Sequence, residues 1–406
     1  MKFASRLNAV PPYLFAELER KIEMREQAGI DVISLGIGDP DLPTPPAVIE
    51  AMAEAVRDSA THQYPSNRGT AAFREAVAGF YAERFGVTID PETEVIPVLG
   101  GKEGVAHVAL ATLDPGDTAL APDPGYPPYT SGPVFSGANV HYLPLAEENG
   151  FLPDLESAPE ARLLFLNYPN NPTGATVEVD FFERAVAFGR ERGLIVVHDN
   201  AYSEITFDGY QAPSFLEAEG AKGVGVEIFS LSKGWNMTGW RAGWIAGNAE
   251  VVERYRHLKT NLDSGMFDAV QRAAIAALTE ARGFPREMSQ IYQRRRDLVA
   301  DGLRAIGLDV EPPRATPYFW ARVPESHTSA SFAELVLDRA NVVISPGGAY
   351  GPSGEGFVRI SLTVADDRLE EAVDRIATMR PVAQGDVGQP GRPVISDGRA
   401  GGTRTS

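Results

Sequence analysis

Residues 230–241 read Ser-Leu-Ser-Lys-Gly-Trp-Asn-Met-Thr-Gly-Trp-Arg and follow Val-Glu-Ile-Phe, a mostly apolar run that predicts a short strand ending in a turn. Lys233 therefore stands at a strand end, where a lysine that loses its proton can bond covalently to a carbonyl cofactor. Ser230, Ser232 and Arg241 supply hydroxyl donors and a permanent cation, which are groups that bind phosphate. A lysine beside a phosphate site points to pyridoxal phosphate as the cofactor.

Three more segments accompany this one along the chain. Residues 167–174 read Asn-Tyr-Pro-Asn-Asn-Pro-Thr-Gly, residues 198–202 read His-Asp-Asn-Ala-Tyr after the apolar run 194–197, and residues 357–361 read Phe-Val-Arg-Ile-Ser. In this order the segments resemble the motifs of class I and II aminotransferases, which are fold type I enzymes that use pyridoxal 5'-phosphate. The resemblance implies an α/β fold: a large domain with a mostly parallel central sheet flanked by helices, plus a smaller α/β domain.

The resemblance also implies a role for the polar residues of these segments. Lys233 would bond to the cofactor and move the proton in the catalytic step. Asp199 would keep the pyridine nitrogen protonated, since an opposite charge favours the cation. Tyr202 and Asn171 would hydrogen-bond the phenolic oxygen of the cofactor, with Asn171 also facing the substrate. Arg359 would bind the substrate α-carboxylate through a bidentate fork. The structural alternatives are a turn-capping role for Asp199 and an Asn-Pro turn for Asn171.

Two other segments are candidates for the cofactor site. Gly100, Gly101 and Lys102 lie between a strand and an apolar helix, where the backbone N–H groups of a helix N-terminus can bind phosphate. Lys102 departs from the hydroxyl residues common here in the family, and its ammonium is a candidate for a substrate carboxylate or a subunit interface. Tyr126, within Asp-Pro-Gly-Tyr-Pro, matches the ring that stacks on the cofactor. The alternative is a tyrosine in a proline-rich turn.

Two more residues are expected to contact the substrate or a second subunit. Gly38 matches the glycine whose backbone lies against the substrate. Tyr64, within His-Gln-Tyr-Pro, matches the segment that reaches across a dimer to the phosphate of the neighbour's cofactor. The resemblance therefore implies a homodimer with two shared active sites.

The order of apolar patterns predicts how the chain is organised. Apolar residues at helical spacing predict a helix over 13–28 that ends at Gly29. Alternating strands and helices over about 47–280 predict parallel βαβ units. The arginines of 294–296, on a long charged helix, are interpreted as a solvated or subunit-facing surface. The predicted units are an N-terminal helix and substrate loop packing with the small domain (1–46), a large cofactor-binding domain (47–285), a small C-terminal domain (286–380) and a disordered tail (381–406).

Composition excludes several classes of function. A net charge of −18 argues against a nucleic-acid or anionic-membrane surface, and the absence of cysteine excludes disulfides and a thiol nucleophile. The N-terminus lacks the apolar core of a signal peptide, and no apolar run approaches the roughly 20 residues that span a bilayer. We therefore expect a cytoplasmic protein. The six histidines show no metal-ligand spacing, so no metal is predicted.

The longer segments narrow the substrate. Residues 64–69, 166–174 and 230–240 are most similar to those of LL-diaminopimelate aminotransferases, which implies amino transfer between LL-diaminopimelate and 2-oxoglutarate in lysine biosynthesis. Gly234 and Trp235 depart from the Thr-Tyr usual in that group. Alanine-, aspartate- and succinyl-diaminopimelate-type aminotransferases remain alternatives, as does a pyridoxal-phosphate-dependent β-lyase. A transcription regulator with an aminotransferase-like domain would need a helix-turn-helix region, which the polar residues of the tail do not supply.

Overall fold

A computed structural model describes residues 1, 3–10 and 14–379, so the predicted tail lies outside the described residues. The helices of the described part are α1 Leu14–Gln27, α2 Pro46–Ala55, α3 Ala71–Phe85, α4 Gly101–Thr112, α5 Pro128–Ser136, α6 Val179–Arg192, α7 Ala221–Val224, α8 Leu231–Gly234, α9 Ala249–Leu262, α10 Asp268–Thr279, α11 Phe284–Ala305, α12 Ser329–Ala340 and α13 Asp366–Ala377. The strands are β1 Ile33–Ser34, β2 Val95–Val98, β3 Thr118–Asp123, β4 Asn139–Pro144, β5 Leu163–Leu166, β6 Ile195–Asn200, β7 Gly225–Ser230, β8 Gly243–Gly247, β9 Tyr318–Arg322, β10 Val342–Val343, β11 Ser345–Pro346 and β12 Phe357–Ser361. Within this part of the chain, no helix combines the length and the apolar character needed to cross a membrane.

The central sheet has seven strands in the order β2-β8-β7-β6-β5-β3-β4. Strands β4, β3, β5, β6 and β7 are parallel, whereas β8 is antiparallel to both of its neighbours, β7 and β2. The prediction of a mostly parallel sheet is confirmed, and the prediction of parallel units throughout 47–280 is wrong at β8. The connection 231–242 holds only the single turn α8, which is too short for the helix that usually crosses over in a parallel unit.

Helices cover both faces of this sheet, which explains why its inner strands are apolar without alternation. On β5, Leu164 and Leu166 belong to one hydrophobic core with residues of α3, α6 and α10. Their neighbours Leu163 and Phe165 point to the opposite face and belong to a second core with residues of α4 and α9. Successive residues of a strand point to opposite faces, so both rows of side chains are buried.

A third core lies among the elements that follow α10. The three-stranded antiparallel sheet β11-β12-β9 packs there against α11, α12 and α13. The N-terminal segment joins this core through Ile33 and Leu35, and Ile33 pairs with Val342 as β1 runs parallel to β10. The predicted domain bounds stay a prediction, and these separate cores are what supports them.

Helix α11 corrects the interpretation of the arginine run at two of its three residues, because only Arg294 is exposed. Arg295 and Arg296 are each only 4% exposed, so they are neither solvated nor available to another subunit. Arg295 pairs with Asp41 at 2.7 Å and with Asp366 at 2.6 Å, and Arg296 pairs with Asp208. Buried charges of this kind need such partners. Arg295 therefore connects the loop after β1 to the helices of the third core.

Candidate active site

A cavity of about 320 Å³ opens at the carboxyl ends of the parallel strands, where ligands bind in open α/β sheets. Two groups of residues supply most of its lining, and Glu19, Pro127 and Ala201 complete it. The sheet side follows strands β2, β3, β5, β6 and β7 and comprises Gly101, Lys102, Tyr126, Tyr129, Asn167, Asn171, Asp199, Tyr202, Ser230, Ser232, Lys233, Thr238 and Arg241. The small-domain side comprises Ile37, Gly38, Asp39, Tyr318, Tyr350 and Arg359.

Lys233 reaches across the cavity from one side to the other. It lies in α8, immediately after β7, and the turn is capped by Ser230, whose hydroxyl accepts a hydrogen bond from the Ser232 N–H at 3.2 Å. The Lys233 ammonium donates to the carbonyl oxygen of Gly38. The lysine thus starts on the sheet side and ends against the small-domain side.

Asp199 lies on β6 and is 5% exposed. The pKa of Asp199 is raised to about 6. Burial is the cause of this rise, and it outweighs the opposite effect of the hydrogen bond from the Tyr129 hydroxyl, which lies 2.8 Å from Asp199 Oδ2. The Tyr129 ring is held by stacking on Phe165, with centroids 5.3 Å apart. A carboxylate in this environment is suited to pair with a cation, which would lower its pKa again.

The N-terminus of α4 lies beside Asp199 on the sheet side, where a Cβ at Gly101 would be 3.9 Å from Asp199 Oδ1. Gly100 precedes the helix with a φ of 81°, a conformation that glycine adopts without strain. A Cβ at Gly100 would overlap the Arg241 guanidinium, so the glycine also makes room for this cation. Arg241 is oriented by donation to the Thr238 carbonyl oxygen at 2.7 Å.

Positive charges and hydrogen-bond donors come together near the N-terminus of α4. Partial burial and the charge of Arg241 lower the pKa of Lys102, which shows that the two cations are close enough to interact. Ser230 and Ser232 line the same cavity and carry hydroxyl groups. Cations, hydroxyl donors and helix N–H groups together make a site for an anion such as phosphate.

A hydrogen-bonded turn after β5 connects the two sides. The Asn167 side chain donates to the Asp199 carbonyl at 2.7 Å and accepts from the Asn171 N–H at 2.8 Å. Arg359, on β12 and 1% exposed, donates through Nη1 to Asn171 Oδ1 and through Nη2 to the Gly36 carbonyl, each at 2.9 Å. Its guanidinium is therefore oriented by neutral oxygens at the cavity wall.

Tyr318 and Tyr350 surround the guanidinium with aromatic rings. The Arg359 Cζ atom lies over both, 4.1 Å from the centroid of Tyr318 and 4.8 Å from that of Tyr350. The hydroxyls of Tyr318 and Tyr202 are 3.3 Å apart. Burial raises the pKa of Tyr318, but the positive charges of Lys233 and Arg359 outweigh it and leave this pKa below its ordinary value.

The sequence was compared with known families and proteins. The family model described as aminotransferase class I and II matches residues 30–376. The chain belongs to this family. An LL-diaminopimelate aminotransferase of Desulforudis audaxviator is 54% identical over 378 residues, which are 92% of this chain and 96% of that protein. Another, from Moorella thermoacetica, is 51% identical over 381 residues, or 93% of this chain and 98% of that protein.

Solved aminotransferases and related proteins share the architecture. Substrate-bound BacF from Bacillus subtilis has a TM-score of 0.90 and 40% identity, covering 94% of this chain and 99% of that one. An N-succinyldiaminopimelate aminotransferase from Mycobacterium tuberculosis has a TM-score of 0.85 and 28% identity, covering 93% and 100%. The predictions of fold class and of an aminotransferase are confirmed by these matches.

Most residues predicted for the aminotransferase site line the one cavity, and two do not. Gly100 lies just outside it and acts on the backbone turn before α4. Tyr64 is 91% exposed and is not among the lining residues, so its predicted contact with a second subunit stays a prediction. The predicted residues that line the cavity are Gly38, Gly101, Lys102, Tyr126, Asn171, Asp199, Tyr202, Ser230, Ser232, Lys233, Arg241 and Arg359.

Three lining tyrosines were missed by the sequence analysis. Tyr129 follows the predicted Tyr126 by one helical turn, a spacing that could have indicated a shared face. Tyr318 and Tyr350 lie on the small-domain side, in Thr-Pro-Tyr and Gly-Gly-Ala-Tyr segments that carry no comparable signal. Their contacts arise only when distant parts of the chain meet.

One histidine, His107, lies near two carboxylates, those of Glu103 and Asp263. Glu103, His107 and Asp263 form the only such group of three in the described part of the chain. The ammonium of Lys259, whose side chain is fully buried, lies 3.3 Å from Glu103 and 3.0 Å from Asp263. A buried lysine cation already pairs with both acids, so the cluster is explained as a salt-bridge network of α4 and α9.

Proposed function

We propose that this aminotransferase binds pyridoxal 5'-phosphate and moves an amino group between LL-diaminopimelate and 2-oxoglutarate, as a step of lysine biosynthesis. The observation that carries the proposal is the convergence of Lys233, Asp199 and Arg359 on one cavity. The substrate rests on the relatives that are about half identical over more than nine tenths of the chain and are named LL-diaminopimelate aminotransferases. The cytoplasmic location stays a prediction.

The residues present fit this cofactor. The anion site at the start of α4 suits its phosphate, and the buried Asp199 carboxylate suits its protonated ring nitrogen. Lys233 lines the same cavity, so it is available as the covalent attachment point. When bound, the cofactor supplies a ring that accepts the electron pair left at the substrate carbon.

Each side of the cavity has its own task in the proposed reaction. On the sheet side, the Lys233 Nζ atom removes the proton from the substrate Cα, a step that needs its uncharged amine. Tyr202 and Asn171 would donate hydrogen bonds to the phenolic oxygen of the cofactor. On the small-domain side, Arg359 binds the α-carboxylate with its fork of N–H donors, and Gly38 offers its backbone to the substrate.

The substrate assignment is tested by the absorption of the loaded enzyme. LL-diaminopimelate is added first and 2-oxoglutarate second, with alanine, aspartate and N-succinyl-LL-diaminopimelate as comparison donors. We expect LL-diaminopimelate to remove the visible band of the lysine-bound cofactor and 2-oxoglutarate to restore it. A response to another donor alone would overturn the substrate assignment, and release of ammonia with a 2-oxo acid would indicate a β-lyase.

We also propose a homodimer in which Tyr64 completes the neighbour's phosphate site. Tyr64 is 91% exposed, and a Cβ at Gly265 would lie 3.1 Å from the carbonyl oxygen of Ser66, so the two loops are adjacent and form one surface. Leu262 and Phe267 on this surface are 54% and 38% exposed. Large exposed apolar side chains grouped in this way are typical of an interface.

Hybrid dimers test this arrangement directly. A Lys233→Ala dimer should be inactive and a Tyr64→Ala dimer strongly impaired. If the sites are shared, mixing the two variants gives hybrids in which one site has both Lys233 and Tyr64, so activity should reappear on mixing. Activity that stays at the level of the separate variants, with hybrids shown by native mass spectrometry, would contradict the shared site.

A further inference from the structure

We propose that Tyr318 is a positioning residue of this site, which holds Arg359 through its ring and the loop at Gly38 through its hydroxyl. The proposal rests on the proposed function for its kinetic consequences and on geometry for the two contacts. Tyr318 is the first residue of β9 and is 2% exposed. It lies where β9, β12 and the N-terminal loop meet.

The ring contact constrains the arginine. Arg359 lies opposite Trp320 in the β12–β9 pairing, and its guanidinium folds back over the Tyr318 ring at 4.1 Å. A guanidinium over an aromatic face and within about 6 Å of its centroid is attracted by the ring. The two bonds to Asn171 and Gly36 act through the guanidinium N–H groups, whereas the Tyr318 ring, with that of Tyr350 beyond it at 4.8 Å, contacts the guanidinium carbon. Tyr318 therefore supplies the nearer of two ring contacts that these hydrogen bonds do not replace.

The hydroxyl contact constrains the substrate loop. The Gly38 carbonyl accepts from both the Lys233 ammonium and, at 3.5 Å, the Tyr318 hydroxyl. Lys233 is the proposed reacting lysine, so its bond to Gly38 cannot persist while its nitrogen is engaged in the reaction. The Tyr318 bond does not have this limitation.

Contacts on both sides of Gly38 hold the rest of the loop independently of Tyr318. Before it, the Ile37 carbonyl accepts from Thr363 Oγ1 at 3.0 Å, and after it Asp41 pairs with Arg295. A Cβ at Gly38 would overlap the Tyr318 hydroxyl, which gives a reason for glycine at this position. Loss of the Tyr318 hydroxyl should loosen the loop locally and leave its flanks in place.

Two variants separate the ring from the hydroxyl. Tyr318→Phe keeps the ring and removes the hydroxyl, and Tyr318→Leu removes both. Tyr210→Phe is the matched control, because it removes another buried hydroxyl, one that donates to the Val177 carbonyl away from the cavity. Each enzyme is studied with its cofactor by steady-state kinetics and by hydrogen–deuterium exchange of peptides covering 36–41.

We expect Tyr318→Leu to raise KM for 2-oxoglutarate by roughly 2- to 30-fold, the range of one cation–π contact, with a smaller change in kcat. Tyr318→Phe should restore KM but, like Tyr318→Leu, should exchange faster over 36–41 than wild type and Tyr210→Phe. A KM in Tyr318→Leu equal to that of the control would overturn the ring contact, and unchanged exchange in Tyr318→Phe would overturn the hydroxyl contact. If wild type itself lacks amino transfer, the proposed function fails, and the exchange measurement still decides the role of the hydroxyl.

Discussion

The two sides of the cavity are built in different ways. On the sheet side, Asn171, Asp199 and Lys233 lie at or just beyond the ends of neighbouring parallel strands, and the hydrogen bonds of the sheet bring them together. On the small-domain side, the contacts join residues that are far apart in sequence: 280 positions separate Gly38 from Tyr318, and 323 separate Gly36 from Arg359. The sheet side is therefore a property of one sheet, whereas the small-domain side exists only after the N- and C-terminal parts meet.

This difference predicts different roles for the two sides of the cavity. Groups set by a rigid sheet can hold a reacting lysine and a buried carboxylate in a constant position. The small-domain side is proposed to bind the substrate carboxylate, and in many enzymes a part that closes over the substrate also excludes water during reaction. Changes on the sheet side should thus affect chemistry and stability, and changes on the small-domain side should affect substrate affinity.

The largest effect is expected from Lys233→Ala. Removing the amine eliminates both the attachment point and the proton-transfer group, so kcat should fall by roughly 10⁴-fold or more, at least the upper range for acid–base catalysis. Steady-state rates with LL-diaminopimelate and 2-oxoglutarate measure it. Lys222→Ala is the control, because Lys222 is partly exposed and pairs with Glu94. A Lys233→Ala enzyme with near-normal kcat would remove the basis of the sheet-side assignment.

The same contrast explains what could be predicted from the sequence. Lys233, Asp199 and Asn171 stand shortly after apolar strand patterns, and such strands place the residues at their ends along one edge of a sheet. Tyr318 could not be found in this way, because Gly38, which its hydroxyl contacts, is 280 positions away in the sequence. Arg295 was misread because a charged run usually lies in water. Its spacing from Tyr292 and Val299 on α11, both buried, could have placed it on the inner face.

Asp199→Asn should show how much the ionised, buried carboxylate of Asp199 lowers the free energy of unfolding. Because the pKa of Asp199 in the folded protein, about 6, exceeds its ordinary 3.8, the contribution of this group is complete below about pH 4 and is lost as the pH rises through 6. Without cofactor at pH 8, the variant should be more stable than wild type by roughly 2–3 kcal/mol. The difference should disappear near pH 4.

Urea unfolding of the cofactor-free proteins at both pH values measures this effect. Asp154→Asn is the control, because Asp154 is exposed and hydrogen bonds lower its pKa, which is the opposite direction. A cofactor-free Asp199→Asn protein that is less stable than wild type at pH 8 would show that Asp199 is held in its charged form by the protein alone.

Arg359→Lys tests the small-domain side. A lysine keeps the charge but cannot reproduce the fork that binds a carboxylate through two hydrogen bonds. Losing one charge-assisted bond should raise KM for both substrates by roughly 10- to 100-fold, with kcat changed less. Arg322→Lys, on the exposed end of β9 and paired with Glu147, should leave both parameters unchanged. A fall in kcat without a change in KM would place Arg359 with the sheet side.

The smallest effect is expected from Tyr129→Phe, which keeps the ring on Phe165 but removes the hydrogen bond to Asp199. That bond lowers the pKa of Asp199, so its loss should raise this pKa by about one unit or less, the value of a typical hydrogen bond. Asp199 would then be protonated over a wider range, and the acidic limb of the kcat profile should move upward by a similar amount.

Tyr168→Phe is the matched control for this shift, since Tyr168 is equally buried but donates to the Phe151 carbonyl, a neutral acceptor. Both variants lose one buried hydroxyl, and only one of them loses a bond to the carboxylate. If both acidic limbs move equally, general loosening of the core is the cause. If only that of Tyr129→Phe moves, the sheet side contains a group that tunes its carboxylate, as Tyr318 is proposed to steer the arginine on the other side.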